Sequence, residues 1–169
     1  VRYGNVMGSR GSVIPFFISI KGKQVFPITD NRMTRFMISL EEGVELVWHA
    51  FDDMKGGEIY VKKIPSMKIT DVALAVDKNT KQEEVGIRPG EKLHEQMIGM
   101  EDAIYTYEYP GYFKILPSIN EWAKDEARIG DGTRVPENFM YTSDNNKEWM
   151  KISELQDWIE TNKNKIGNI

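Results

Sequence analysis

The run Gly4-Asn5-Val6-Met7-Gly8-Ser9-Arg10-Gly11-Ser12 concentrates residues suited to holding a phosphate. Glycines let the backbone pass close to a ligand, and its free N–H groups can then meet an anion. Asn5 stands where a strand-like start becomes this loop. Ligands of open α/β sheets bind beyond the carboxyl ends of strands, so the placement suits a site. An Asn that bonds its own turn accounts for it equally well. Arg35 lies inside Met33-Thr34-Arg35-Phe36-Met37-Ile38. A cation in an apolar strand is costly unless it is paired or meets an anion. Its planar fork suits a diphosphate, whereas an ion pair with Asp30 or a glutamate is the commoner solution. Arg88-Pro89-Gly90-Glu91-Lys92 is a rigid turn with fixed charges. It fits a ribose or phosphate contact, although composition alone favours a surface turn whose local salt bridge is worth little.

Other chemistries find no support in the residues. There are no cysteines, which excludes disulfides, zinc–thiolate sites and a Cys nucleophile and fits a cytoplasmic setting. His94-Glu95 has no second His four residues on, so no zincin-like motif exists and no metal is expected. His49 beside Trp48 reads as partly buried structure, and Asp52-Asp53 and Asp125-Glu126 as solvated charges. Neither a Walker-type loop nor a complete dinucleotide fingerprint occurs, and no Ser/His/Asp set can be assembled. A net charge of −4 argues against nucleic acid or an anionic membrane as main partner. The longest apolar run, residues 13–20, contains Pro15 and falls well short of the ~20 residues a membrane span needs.

The elements that must carry these residues alternate between strand and helix, which indicates an α/β or α+β body. Residues 1–3 read as the end of a buried strand. Ser12 can cap a helix over 13–21, with Pro15 tolerated in its first turn. Residues 25–28 read as a strand, 29–32 as a polar loop and 33–38 as extended. Ser39-Leu40-Glu41-Glu42 is a capping-box pattern. The helix after it would bury Leu40, Val44, Val47, Trp48 and Phe51. A strand is expected over 58–61 and a helix burying Ile69, Val72, Ala73 and Val76. A strand over 84–87 and a helical turn or two over 91–97 follow. Tyrosine-rich strands are expected around Pro110-Gly111. A last helix should be capped at Ser153 and bury Leu155, Trp158 and Ile159, and residues 162–169 should fray. At 169 residues and 40% hydrophobic, the chain can bury a core.

Five stretches carry a resemblance: RYGNVMGSRGSVIPFF, PITDNRMTRFMISLEEGVELV, GGEIYVKKIPSMKITDVA, GIRPGEKLHE and YTSDNN. In order and nearly from end to end, the chain resembles the C-terminal half of the inverting UDP-N-acetylglucosamine 4,6-dehydratases. These are extended short-chain dehydrogenase/reductases used in pseudaminic acid and related polysaccharide biosynthesis. Arg10 and the stretch 63–68 resemble the inverting branch rather than the retaining one.

The resemblance implies an α/β fold: the last Rossmann elements and a nucleotide-sugar-binding region over 1–97, then a C-terminal extension over 98–169. It implies that Asn5, Arg35, Arg88 and Glu91 hold the UDP-sugar. Thr29 would touch the nucleotide, and Val13, Ile14, Pro15, Phe16 and Phe17 would line its pocket. Val6 would approach the nicotinamide of NADP, a cofactor bound mainly by a preceding half. That half would also carry the catalytic residues, so none is expected here. A chain that opens on a strand and Val1 reads as a C-terminal portion, inactive alone, of a homo-oligomeric lyase. The product would be a 6-deoxy-4-keto sugar inverted at carbon 5. A related epimerase or reductase, or a stand-alone nucleotide-sugar-binding or assembly module, are the alternatives.

Overall fold

The computed structural model describes residues 1–23, 25–119 and 122–167. In chain order the elements are β1 (Asn5–Val6), α1 (Val13–Ser19), β2 (Val25–Ile28), β3 (Thr34–Ile38), α2 (Leu40–Asp53), β4 (Ile59–Lys62), β5 (Ser66–Lys68), α3 (Ile69–Val76) and β6 (Lys81–Glu84). They continue with β7 (Gln96–Ile98), α4 (Met100–Ala103), β8 (Thr106–Tyr109), β9 (Tyr112–Ile115), α5 (Glu126–Ile129), β10 (Thr133–Arg134), β11 (Tyr141–Thr142) and α6 (Ile152–Thr161). A mixed sheet has the order β1-β3-β5, with β1 parallel and β5 antiparallel to β3. An antiparallel sheet has the order β10-β8-β9-β4, and two pairs, β2-β6 (parallel) and β7-β11 (antiparallel), complete the pattern. Among the described residues no helix is long and apolar enough to cross a membrane.

The strand that positions the site is β3. Successive side chains of a strand point to opposite faces, and both faces of β3 are covered. Met33 and Met37 join one core with Ile14, Phe17, Phe26, Ile28, Val72 and Leu155. Phe36 and Ile38 join another with Val61, Ile64, Ile98, Phe113 and Tyr141. The alternation puts Arg35 on the first side and Thr34 on the second. Gly4 lets β1 lie against this strand, because a Cβ there would sit 2.4 Å from Phe36 Cβ. Pairing with β3 begins at Asn5, in register with Met37. Residues 1–3 are therefore not the buried strand expected. Val1 and Tyr3 are exposed, and Arg2 makes a single bridge to Val61.

The capping box of α2 forms as expected: Ser39 N–H donates to Glu42 at 2.8 Å and Glu42 N–H to Ser39 Oγ at 3.2 Å. The expected apolar face does not face the core. Trp48 is 64% and Phe51 61% exposed, and Leu40 and Val44 are exposed too. The helix instead buries Gly43, Leu46 and Ala50. The layer beneath it is Tyr60 and Tyr112, against which Leu46 and Ala50 pack. Asp52 is exposed as expected, whereas Asp53, also exposed, accepts from Tyr60 Oη and from the buried Lys114 at 2.8 Å and so is a paired rather than a free charge. Asp125 likewise caps α5 through Ala127 N–H.

Three further elements depart from expectation. The strand near residue 84 is β6, pairing Lys81–Glu84 with Val25–Ile28 and ending where β2 ends. Residues 91–95 are irregular, and β7 follows at Gln96. The cap of α6 is Lys151, whose N–H donates to Glu154, in place of Ser153. The stretch after it is tied down as far as Gly167, whose N–H donates to the Gly8 carbonyl at 2.8 Å. Residues 168–169 lie outside the described residues. By contrast α3 buries Ile69, Val72, Ala73 and Val76, and the Pro110-Gly111 turn joins β8 to β9, both as expected.

Packing rather than periodicity thus decides which face of α2 matters. Leu46→Ala should destabilise the chain by about 2–5 kcal/mol, the cost of emptying a core Leu site. Trp48→Ala should change stability by about 0.5 kcal/mol or less, as exposed positions do. Urea denaturation of both variants checks this. A larger loss for Trp48→Ala would return the core to the other face.

Candidate functional site

Two adjoining cavities of about 230 and 310 Å³ open between α1, the turn after β2, β3, the start of α3 and the 88–91 turn. They share Ser12, Val13, Thr29, Ile69 and Glu91, so they form one groove. Their size suits a small-molecule site. Asn5, Val6, Ile14 and Arg35 line the first part, and Phe16, Phe17 and Arg88 the second. Every nucleotide-site candidate drawn from the sequence lines it except Pro15. The walls are apolar through Met33, Met37, Pro27 and Val85. Phe17 stacks on Phe26 at 5.0 Å inside the core, while Phe16 remains exposed at the rim.

Arg35 is the best-anchored polar group of the groove. Its Nη1 donates to the Thr34 and Leu93 carbonyls at 2.7 and 3.1 Å, and its Nη2 to the Lys92 carbonyl at 2.8 Å. Nε lies 3.4 Å from Glu95 Oε1. Burial pulls the guanidinium below its ordinary range, and Glu95 and Glu91 oppose that shift. The second Nη2–H is left over from these contacts. The ion pair anticipated for Arg35 is with a glutamate, Glu95, because Asp30 belongs to Arg32. Asp30 accepts from Arg32 Nε at 3.0 Å, Nη2 at 2.7 Å and the Arg32 backbone N–H at 2.8 Å. That clamp fixes the turn beside Thr29.

The 88–91 turn is held by its own bonds. Glu91 accepts from Arg88 N–H at 3.1 Å, and Glu91 N–H donates to the Arg88 carbonyl at 3.0 Å. Gly90 at φ +87° allows the reversal. Both side chains are exposed at the groove. Ser12 occupies the N-cap of α1, yet its hydroxyl makes no cap bond. Its Oγ is buried without a partner, an arrangement that costs free energy until something donates or accepts there.

A group that sequence reasoning missed sits on the other face of β3. Thr34 Oγ1 is 2.8 Å from His94 Nδ1 and 2.6 Å from Ser143 Oγ. Asp144 Oδ2 is 4.0 Å from His94 Nε2. Serine, histidine and aspartate do meet, but Ser143 is fully buried with Thr34 between it and the ring, so it is no nucleophile. Only its position opposite β3 brings this set together, and no sequence spacing foretells it. In a separate cavity of about 530 Å³ beside Phe113 and Tyr141, Lys63 is engaged with Glu108, Tyr141 Oη with the Ile64 carbonyl, and Asn146 with the Ile64 carbonyl. Among the described residues no cluster of three His, Asp or Glu is disposed to hold a metal ion.

The family model described as "Polysaccharide biosynthesis protein" matches residues 1–117. The chain belongs to that family. It is 51% identical over 165 residues to "UDP-N-acetylglucosamine 4,6-dehydratase (inverting)" of Campylobacter jejuni subsp. jejuni, covering 94% of this chain and 49% of the relative. It is 41% identical over 165 residues to "UDP-glucose 4-epimerase" of Rickettsia typhi, covering 95% of this chain and 48% of that one. The solved structure of "Pen from Bacillus thuringiensis" matches with a TM-score of 0.79 and 33% identity, over 96% of this chain and 49% of that chain. The α/β class expected from the short-chain dehydrogenase/reductase resemblance holds. The chain spans about half the length of the curated relatives it matches.

Asp30 gives the site an acid signature. Bonds from the Arg32 side chain and backbone hold its carboxyl at about 2, below the ordinary 3.8. A lowered carboxylate adds stability above its unfolded value and loses it as pH falls through the folded one. Stability should therefore decline between about pH 4 and pH 2, and Asp30→Asn should flatten that limb. Urea denaturation at stepped pH checks it, and an unchanged limb would remove Asp30 as its source.

Proposed function

We propose that this chain supplies the nucleotide-sugar grip of an enzyme acting on UDP-N-acetylglucosamine. The reaction is dehydration to a 6-deoxy-4-keto sugar with inversion at carbon 5. The observation that carries this reading is the convergence of Asn5, Arg35, Arg88 and Glu91 on one groove with the unpartnered Ser12 hydroxyl. The relatives named for a UDP-N-acetylglucosamine 4,6-dehydratase and for UDP-glucose 4-epimerases support a UDP-sugar as the substrate class, and the higher identity to the dehydratase favours dehydration.

The groove's chemistry matches a nucleoside diphosphate piece by piece. Guanidinium forks suit diphosphate oxygens, and Arg88 is exposed at the rim with its side chain uncommitted to any ion pair among the described residues. Arg35 adds its charge and its remaining Nη2–H from the floor. The Glu91 carboxylate can accept ribose hydroxyls. Phe16 offers an exposed ring for the base to stack on, with Val13, Ile14, Phe17 and Thr29 as walls. The Asn5 side-chain amide can bond the substrate beside its diphosphate.

Val6 fits the edge of a nicotinamide site, since it is apolar and lines the same cavity as Asn5. When bound, NADP supplies acceptance and return of a hydride. This chain's share is to bind and orient the sugar nucleotide. A chain of net charge −4 attracts a dianion only through such locally placed cations.

Titration calorimetry with UDP tests the grip. Arg88→Ala should weaken binding by about 1.5–3 kcal/mol, the range for charge-assisted hydrogen bonds. Unchanged affinity would return the 88–91 turn to a plain surface role. The reaction is tested on the full-length enzyme with NADP and UDP-N-acetylglucosamine. NMR of the product should show a 6-deoxy-4-keto sugar. Inversion at carbon 4 alone would favour the epimerase reading, which the relatives named UDP-glucose 4-epimerase support.

A further inference from the structure

We propose that Thr34, His94 and Ser143 are positioning residues that latch the 85–95 loop so that Arg88 and Glu91 face the groove. The inference rests on the nucleotide reading above. It adds three residues that touch no part of the groove.

The loop needs such a device. It runs without regular structure from the end of β6 to the start of β7, and residues 85–92 are exposed. Gly86 and Gly90, at φ +89° and +87°, add freedom. At its first end Val85 N–H donates to the Ile28 carbonyl at 2.8 Å. In the middle, Arg88 and Glu91 bond each other. All remaining anchors gather at residues 92–95. Arg35 holds the Lys92 and Leu93 carbonyls, and Thr34 N–H donates to the Leu93 carbonyl at 3.2 Å. Ser143 holds Glu95 twice: Glu95 N–H donates to Ser143 Oγ at 2.9 Å, and Ser143 N–H to the Glu95 carbonyl at 2.8 Å.

Two proton orders satisfy the side-chain part of the latch, and the latch uses the one that sets the ring proton of His94 toward Asp144. In that order Ser143 Oγ accepts from Glu95 N–H and donates to Thr34 Oγ1 at 2.6 Å; in the reverse order its proton goes to the Thr34 carbonyl at 3.2 Å and His94 Nδ1 carries the ring proton. With the Ser143 proton on Thr34 Oγ1, the Thr34 proton goes to His94 Nδ1 at 2.8 Å. Nε2 then carries the ring proton and points toward the Asp144 carboxylate, which Thr142 Oγ1 steadies at 2.6 Å. Every group thus has a partner in one direction, from Glu95 N–H through Ser143 and Thr34 to His94. Thr34 and Ser143 are buried, so water cannot replace a lost link without cost. Because β3 alternates, one strand fastens the loop from both faces: Arg35 from the groove side and Thr34 from the other.

Thr34→Val keeps shape and removes the central hydroxyl, and Thr34→Ser restores it. Both are measured with UDP by calorimetry, below the temperature at which circular dichroism shows any unfolding. Thr34→Val should bind UDP roughly five- to tenfold more weakly, about one hydrogen bond's equivalent. Thr34→Ser should recover the parent affinity, a rescue that general destabilisation would not produce. Amide hydrogen exchange at 86–92 should quicken in Thr34→Val while β4 and β9 stay protected. The ¹⁵N shifts of His94 in the parent should report the Nε2–H form. Unchanged UDP affinity in folded Thr34→Val overturns the latch. Should the parent chain bind no UDP, the nucleotide reading fails by itself. The latch is then decided by exchange, where unaltered rates at 86–92 would overturn it.

Discussion

A half-buried guanidinium has to be satisfied, and the way Arg35 is satisfied organises this chain. A cation inside an apolar strand demands acceptors from whatever lies beside it. Here the nearest acceptors are carbonyls of a loop with no secondary structure of its own. Their bonds hold residues 92–95, where the sequence suggested a helical turn, as an anchored irregular segment. The same bonds fix the polar turn at 88–91 at the mouth of the groove. Arg35 thereby acts first as the structure that makes a site and only then as one of its charges.

The two cores explain why that strand can do so. Parallel pairing with β1 and antiparallel pairing with β5 leave β3 covered on both sides. A strand in this position cannot slip by one residue, because Met33 and Met37 would exchange places with Phe36 and Ile38. The orientation of Arg35 and Thr34 is therefore set by apolar packing on either side of them. The polar network costs little specificity of its own because the hydrophobic alternation has already chosen the register.

The antiparallel sheet is held by a different logic. Lys114 is buried, and it is tolerated because Asp53 takes its charge and Tyr109 lies under its ammonium at 4.9 Å. Buried Arg128 pairs with Glu58 and lies 4.0 Å over the Trp122 ring. Both pairs join segments remote in sequence. They show the general rule that interior charge is matched locally, which is also how an acidic protein can present cations at one groove.

The sequence alone determined the elements whose information is local. The Ser39 capping box, the apolar spacing of α3, the Pro110-Gly111 turn and the β-branched and aromatic strands all follow from neighbouring residues. The groove was not legible in that way: the residues alone left Asn5 open and favoured an ion pair for Arg35 and a plain surface turn at 88–91, and it was the family resemblance that put them in one nucleotide site. Three outcomes needed the tertiary structure. The buried face of α2 depended on which layer lay beneath it, and Tyr60 and Tyr112 chose Leu46 over Trp48. The conformation of 91–95 depended on donors from β3 and Ser143 that no local pattern contains. The partnership of Thr34, His94 and Ser143 depended on the fold closing residues 34 and 143 onto one another. Hydrophobic periodicity and turn chemistry act over a few residues, whereas burial and hydrogen-bond satisfaction are properties of the folded neighbourhood.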